Sequence, residues 1–371
     1  METAHQSRQA EVAEKLRRVR AVLIEHNLDA ILLRRVSSFA WITGGAASYV
    51  GLAVDIGAAT AVVTQDQALI TTNAIEAPRL EREEHVTQLG FDLRADPWHT
   101  PDQTLSQLIR SRRLGADSAY PGAMDLSARF ARLRAALMPQ EHARLREVGR
   151  LCGEAIGAVA RRVLPGQTEV EIAGILSDEV YQRGVTPIVN LIATDERIYS
   201  FRHPLPTDKR LDRYAMLVLS GRASGLVASV TRLVHFGPLP DDVRRRQDAV
   251  AQVDVELIQA TRPGAQLSDI LERAAATYAR QGYPDEWQRH HQGGATGYLP
   301  REYLATPSSS DVVGEGQVFA WNPSVPGAKA EDTILVGADG NEVLTPTPAW
   351  PMLDVATLGG SMARPAILEV L

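Results

Sequence analysis

The chain has 371 residues, 44% of them apolar and 23% charged, and a formal charge of -6. That length points to two domains, and the composition to an ordinary soluble globular protein. The mild acidic balance, with both signs interspersed, gives no electrostatic case for nucleic acid or an anionic membrane surface.

One cysteine, Cys152, excludes a disulfide framework, and its place on an apolar-periodic helix marks it as a buried structural thiol. Met1–Lys15 is polar and carries acids, unlike a secretory signal. The best apolar run, Gly51–Val63, is short and broken by Asp55, so no membrane span is expected. A cytoplasmic protein follows as the expectation.

Glu11–His26 is predicted helical, because Val12, Leu16, Val19, Val22 and Leu23 fall on one face. Asp29–Leu33 reads as a short buried strand, and Ser37 as the cap of a helix to about Ile42, broken at Gly44-Gly45. Ala59–Val63 and Ala68–Thr71 flank a turn at Gln65-Asp66. A helix capped by Asn73, a helix Asp102–Arg112, a strand Leu114–Ser118 and a helix capped by Asp125 complete an alternating α/β domain over 11–137. Met138-Pro139-Gln140 reads as the linker to a second domain over 140–371.

The second domain holds a repeat. Pro165-Gly166 precedes a helix Glu169–Gln182 that stops before Gly184, and Pro263-Gly264 precedes a helix Leu267–Arg280 that stops before Gly282. A long amphipathic helix stands before each copy, at Gln140–Val163 and Asp241–Thr261. A histidine and then strands follow each. Two matching units predict a pseudo-two-fold α+β domain. Strands are also expected at Gln317–Trp321, Asp332–Val336 and Glu342–Leu344, the last two joined by a turn at Ala338–Asn341. The tail from Thr345 is Pro-rich, then polar, and shows no site signal.

The chemistry centres on Tyr199–Phe236. His203 lies in a stiff run with Pro204 and Pro206, at the entry to two strands, Tyr214–Leu219 and Gly225–Phe236. From Arg213 to Pro240 there is no Asp and no Glu. A pair of divalent cations needs hard oxygen ligands and compensating negative charge, which these strands do not carry.

Several stretches together resemble the pita-bread peptidase family of methionine aminopeptidase, aminopeptidase P, prolidase and creatinase. They are Leu164–Glu169, His203 with Pro206 and Lys209–Leu211, Gly225 with Thr231-Arg232, His291 with Gly294, Gly316–Phe319 and Glu331–Thr333. The resemblance covers nearly the whole chain. It implies a creatinase-type α/β N-terminal domain and an α+β pita-bread C-terminal domain. The family's peptidases bind two metals through two aspartates, one histidine and two glutamates. Carried onto this chain, those positions fall at Val218, Ser229, His291, Asn322 and Glu331, and a second family histidine falls on Tyr298.

The resemblance therefore implies a degenerate metal site, with no metal and no cofactor expected. Creatinase resembles this condition, with a metal-free site and a histidine at the His203 position acting as acid and base. The candidate catalytic residues are His203, Glu331 and His291. Tyr298, Asn322, Ser229 and Arg301 are the candidates to bind a small polar substrate, Arg301 through a carboxylate. His290 and His291 are adjacent, and an extended backbone would turn only one, His291, into the cleft. Glu331 orients His203, binds a cationic substrate group, or pairs with an arginine such as Arg232. Three functions follow: a metal-independent hydrolase or lyase of a C–N bond, an Xaa-Pro peptidase with an atypical metal site, or a non-catalytic ligand-binding relative. By resemblance the protein is expected to be a homodimer.

Overall fold

The computed structural model describes residues 2–357 and 360–371, which form two compact units. One comprises the chain up to Glu141 together with Ser224–Leu226; the other comprises His142–Ala223 and Val227–Leu371.

The first unit runs α1 (Glu2–Glu25), β1 (Ala30–Arg35), α2 (Val36–Ile42), β2 (Ile56–Val63), β3 (Ala68–Asn73), α3 (Ala77–Arg82), β4 (Asp92–Asp96), α4 (Gln103–Ile109), β5 (Leu114–Ala116), β6 (Ala123–Asp125) and α5 (Ser127–Ala135). Its strands form one mixed sheet in the order β4-β3-β2-β1-β5-β6, antiparallel at β1–β2 and β2–β3 and parallel elsewhere. The predicted stripe of α1 is buried, as amphipathic spacing requires. Ser37 is not a cap. It lies inside α2, every residue of which is buried, and Arg35 holds the cap position without a side-chain capping bond. Lys15 is fully buried, bonded to Glu11 at 2.6 Å, Glu141 at 2.8 Å and the Trp41 carbonyl at 2.8 Å.

The chain continues as α6 (Pro139–Ala160), α7 (Glu169–Tyr181), β7 (Thr186–Thr194), α8 (Glu196–Ser200), β8 (Tyr214–Ala223), β9 (Leu226–Phe236), α9 (Asp241–Ala260) and α10 (Leu267–Arg280). Short strands follow: β10 (Gly293–Thr296), β11 (Tyr303–Leu304), β12 (Val318–Trp321), β13 (Ser324–Val325), β14 (Ala328–Lys329), β15 (Asp332–Val336) and β16 (Asn341–Val343). Pro139 and Gln140, expected in a linker, open α6 instead; the first turn of a helix tolerates a missing N–H.

The repeat is visible in the backbone. Gly166 donates to the Leu211 carbonyl and Gly264 to the Val313 carbonyl, both at 2.8 Å. Glu169 donates to Lys209 and Leu267 to Asp311, both at 3.0 Å. The copies differ at the cap. Thr168 and Glu171 form a reciprocal capping box on α7, whereas Gln266 gives α10 no side-chain cap.

The tail is not featureless. It forms β17 (Met352–Thr357), β18 (Gly360–Pro365) and β19 (Leu368–Val370). β19 joins β9, β8 and β7 in one sheet; β11, β10, β12, β15 and β16 form another. The two sheets meet where Thr231 bridges Glu331 and where Ser229 N–H donates to Thr333 Oγ1 at 2.8 Å.

Candidate functional site

The loop that carries His203 is held on both sides. Arg202 pairs with Glu286, and Pro204 is buried. Further along, Glu169 accepts from the Thr207 N–H at 3.0 Å and its hydroxyl at 2.7 Å. Asp195 accepts from the N–H groups of Asp212, Arg213 and Tyr214 at 2.8–2.9 Å. The anchored neighbours leave His203 itself exposed.

His203 does not stand alone. After a short 3-10 turn (Glu286–Gln288) the backbone bends at Arg289 and His290 rather than running extended. Both following imidazoles therefore turn the same way, and the expectation that only His291 lines the site fails. The ring centroids of His290 and His291 are 4.6 Å apart, and those of His203 lie 4.9 Å and 5.7 Å from them. His290 Nε2 is 3.1 Å from His203 Nε2.

His290 is buried and braced from behind. Its Nδ1 is 3.3 Å from Ser324 Oγ. The Gln292 side chain donates to the His290 carbonyl at 2.6 Å. The Tyr278 hydroxyl donates to Gln292 Oε1 and accepts from the Ser324 N–H, each at 2.8 Å. Burial favours the neutral ring and is the largest influence on all three histidines. With help from Lys329 it pushes His290 down to about 2; with help from Arg301 it pushes His291 down to about 4. His203 is shifted down in the same sense: the residue reaches solvent, but its ring packs against those of His290 and His291 and is partly desolvated there.

Glu331 is buried between cations. Its carboxylate is 2.9 Å from Lys329 Nζ and 2.9 Å from Arg301 Nη2, and it accepts from the Thr231 hydroxyl at 2.8 Å. Burial alone would raise its pKa, but Lys329 and Arg301 pull the carboxyl down to about 2. Arg232 does not pair with this side chain; it pairs with Asp332 at 2.9 Å. Glu331 has no bond to His203 among the described residues, so it positions two cations and does not orient the imidazole. With the histidines neutral, one carboxylate against two cations leaves the cluster positive, which favours an anionic group.

The other predicted residues are dispersed in role. The Ser229 hydroxyl is 2.9 Å from that of Ser220. Tyr298 is buried, and its N–H donates to Glu302 at 2.9 Å. Asn322 is buried with Oδ1 unpartnered, and the same holds for Arg301 Nε and His291 Nδ1. Buried polar atoms of this kind usually find a partner in protein, water or ligand, which makes these three candidate contact points. Val218 belongs to an apolar cluster with Leu191, Met216 and Leu233. Sequence reasoning missed Lys329, Ser324, Tyr278 and Gln292. Only Lys329 had a signal: two residues before Glu331 in an extended segment, its side chain falls on the same face.

Residues 143–338 match the model of metallopeptidase family M24, and residues 15–148 match that of the creatinase/prolidase N-terminal domain. An uncharacterized peptidase of Staphylococcus aureus is 27% identical over 276 residues, covering 69% of this chain and 78% of the relative. The prolidase from Pyrococcus horikoshii superposes with a TM-score of 0.78 at 18% identity, covering 90% of this chain and 98% of its own. An Xaa-Pro dipeptidase from Bacillus anthracis gives 0.78 at 17%, covering 97% and 100%. The N-terminal domain of a FACT complex subunit from chickpea gives 0.70 at 14%, covering 92% and 96%. No helix among the described residues is long and apolar enough to cross a membrane.

The family's name implies metal, and the donor set here does not fit a pair of divalent ions. β8 and β9 carry no carboxylate, the Ser220 and Ser229 hydroxyls bond each other, and the charge of Glu331 is already matched by Lys329 and Arg301.

Proposed function

The chain belongs to metallopeptidase family M24, and from that premise we propose a peptidase-like hydrolase that cleaves a C–N bond of a small polar metabolite without a two-metal centre. The observation that carries this reading is the group of three imidazoles beside Arg301 and Lys329, with no carboxylate on β8 or β9.

His203, exposed and hydrogen-bonded to His290, acts as the acid and base. It takes a proton from water as the water oxygen bonds to the substrate carbon, then returns that proton to the departing nitrogen as the C–N bond breaks. His290 holds the imidazole from behind, and His291 lies beside both. The unpartnered Nε of Arg301 takes a substrate carboxylate, and the unpartnered Oδ1 of Asn322 takes a substrate N–H. Ser229 and Tyr298 shape the wall, and Glu331 keeps the two cations in place. The setting we propose is a cytoplasmic homodimer.

A second reading, binding of such a ligand without turnover, is favoured by one fact: the unpartnered atoms of Arg301 and Asn322 can hold a ligand without hydrolysing it. An Xaa-Pro peptidase with an atypical metal site has the names of the prolidase and dipeptidase neighbours in its favour and the donor set against it.

The test is His203→Ala against a panel of carboxylated amides and amidines. The rate should fall about 10²- to 10⁴-fold, the usual contribution of a positioned acid–base group. Because His203 is exposed, melting should be unchanged. Full activity in the variant would end the proposal. Tight ligand binding with no turnover in the native protein would establish the second reading.

A further inference from the structure

We propose that His203, His290 and His291 form a three-imidazole chelate for one ion of the zinc class, which shares His291 with the family's metal positions but draws on none of its carboxylates. Occupancy withdraws His203 from acid–base work; that second clause rests on the function proposed above, while the chelate itself does not.

The geometry is close to a ligand set. One ring nitrogen from each histidine lies within 4.8 Å of the others, and the His203–His290 pair is already at 3.1 Å. Tetrahedral zinc at 2.0–2.1 Å from each nitrogen separates its ligands by roughly 3.3 Å. Side-chain rotation of His203 and His291 supplies the remaining movement.

The second layer is also present. Ser324 Oγ beside His290 Nδ1 fixes that ring with Nε2 turned toward the cluster, as outer partners of metal-bound histidines do. His291 Nδ1 is buried without a partner, a ring nitrogen unused by the protein.

The donor chemistry selects the ion. Imidazoles without a free carboxylate suit zinc, copper or cobalt and not magnesium, calcium or manganese. Lys329 and Arg301 repel a dication, and Glu331 offsets only one of them. The site is therefore weaker than a closed structural zinc site. Those cations also favour an anion or hydroxide at the fourth position.

The full-length protein, stripped with chelator, is titrated with cobalt(II) and with zinc(II). One equivalent should bind, with the visible absorption of four- or five-coordinate cobalt, unaffected by excess magnesium. His203→Ala, an exposed substitution expected to fold, should weaken zinc by more than roughly 100-fold, beyond the range of a lost outer partner; Ser324→Ala should weaken it by about 10-fold. No cobalt spectrum, or unchanged affinity in His203→Ala, overturns the chelate. Zinc that binds but leaves turnover intact overturns the inhibitory clause alone. If zinc binds natively and His203→Ala loses zinc but keeps activity, the chelate stands and the acid–base assignment falls.

Discussion

The Lys329 ammonium lies 2.9 Å from Oε2 of Glu331, and both side chains are almost wholly buried. With Arg301 on the other oxygen, Glu331 holds two cations in the cleft. This predicts a specific pH signature. The carboxyl is depressed to about 2 when folded and returns to its ordinary range, about 4.3, when unfolded. Its stabilisation is therefore complete above about pH 4.3 and is lost as pH falls toward 2. Glu331→Gln should be less stable by about 3–5 kcal/mol at neutral pH, because it leaves buried charge unpaired. The gap to wild type should close on acidification. Denaturant melts of both proteins from pH 7 to pH 2 check this, and a pH-independent gap would refute the charge assignment.

Hard ions should find no purchase. Protein dialysed against two equivalents of manganese(II) should retain far less than that, read by the free-ion electron paramagnetic resonance signal. Two ions held near Glu331 would contradict the donor set, since oxygen ligands and negative charge are what such ions need.

The architecture was legible because its signals are local. The stripe of α1, the turn at Gln65-Asp66 and the paired Pro-Gly starts of α7 and α10 each follow from residues within a few positions of one another. The absence of acids between Arg213 and Pro240 was equally plain, and it set the reading of the site. What escaped depends on backbone bends and distant partners. An extended chain would turn His290 away from His291, but the chain bends at Arg289 and His290, which no local residue signals. Ser324 and Tyr278 reach the site only through tertiary packing; their partners lie 34 and 14 residues away. The tail strands escaped because β17 and β18 mix polar, small and apolar residues with little regularity, and pair only with each other.

The proposed homodimer has a candidate surface in the first unit. Val50, Leu52 and Val54 are 74%, 47% and 45% exposed along one loop, an unusual cluster for a monomer. Sedimentation velocity at micromolar concentration should give twice the 40.4 kDa chain mass, and Leu52→Asp should shift it toward the monomer. A native monomer across that range would refute the dimer, and an unchanged dimer in the variant would place the interface elsewhere.

Arg364 ties the tail to the core. Its guanidinium lies 2.6 Å from Asp254 on α9 and 2.6 Å from Asp332 on β15, and Arg232 completes the group at 2.9 Å from Asp332. All four are buried, and the charges balance at two against two. Arg364→Met should leave a surplus negative charge without solvent, at a cost of about 3–5 kcal/mol. Asp254→Asn in the same chain removes that surplus, so the double variant should recover part of the loss. The pair should show coupling rather than additivity in a double-mutant cycle. Asp332 directly follows Glu331, so a displaced β15 also moves the carboxylate that holds Lys329 and Arg301. The single variant should accordingly lose binding of a carboxylated ligand, and the double variant should regain it. If Arg364→Met melts like wild type, the tail is attached by packing alone and the charge network contributes nothing to the site.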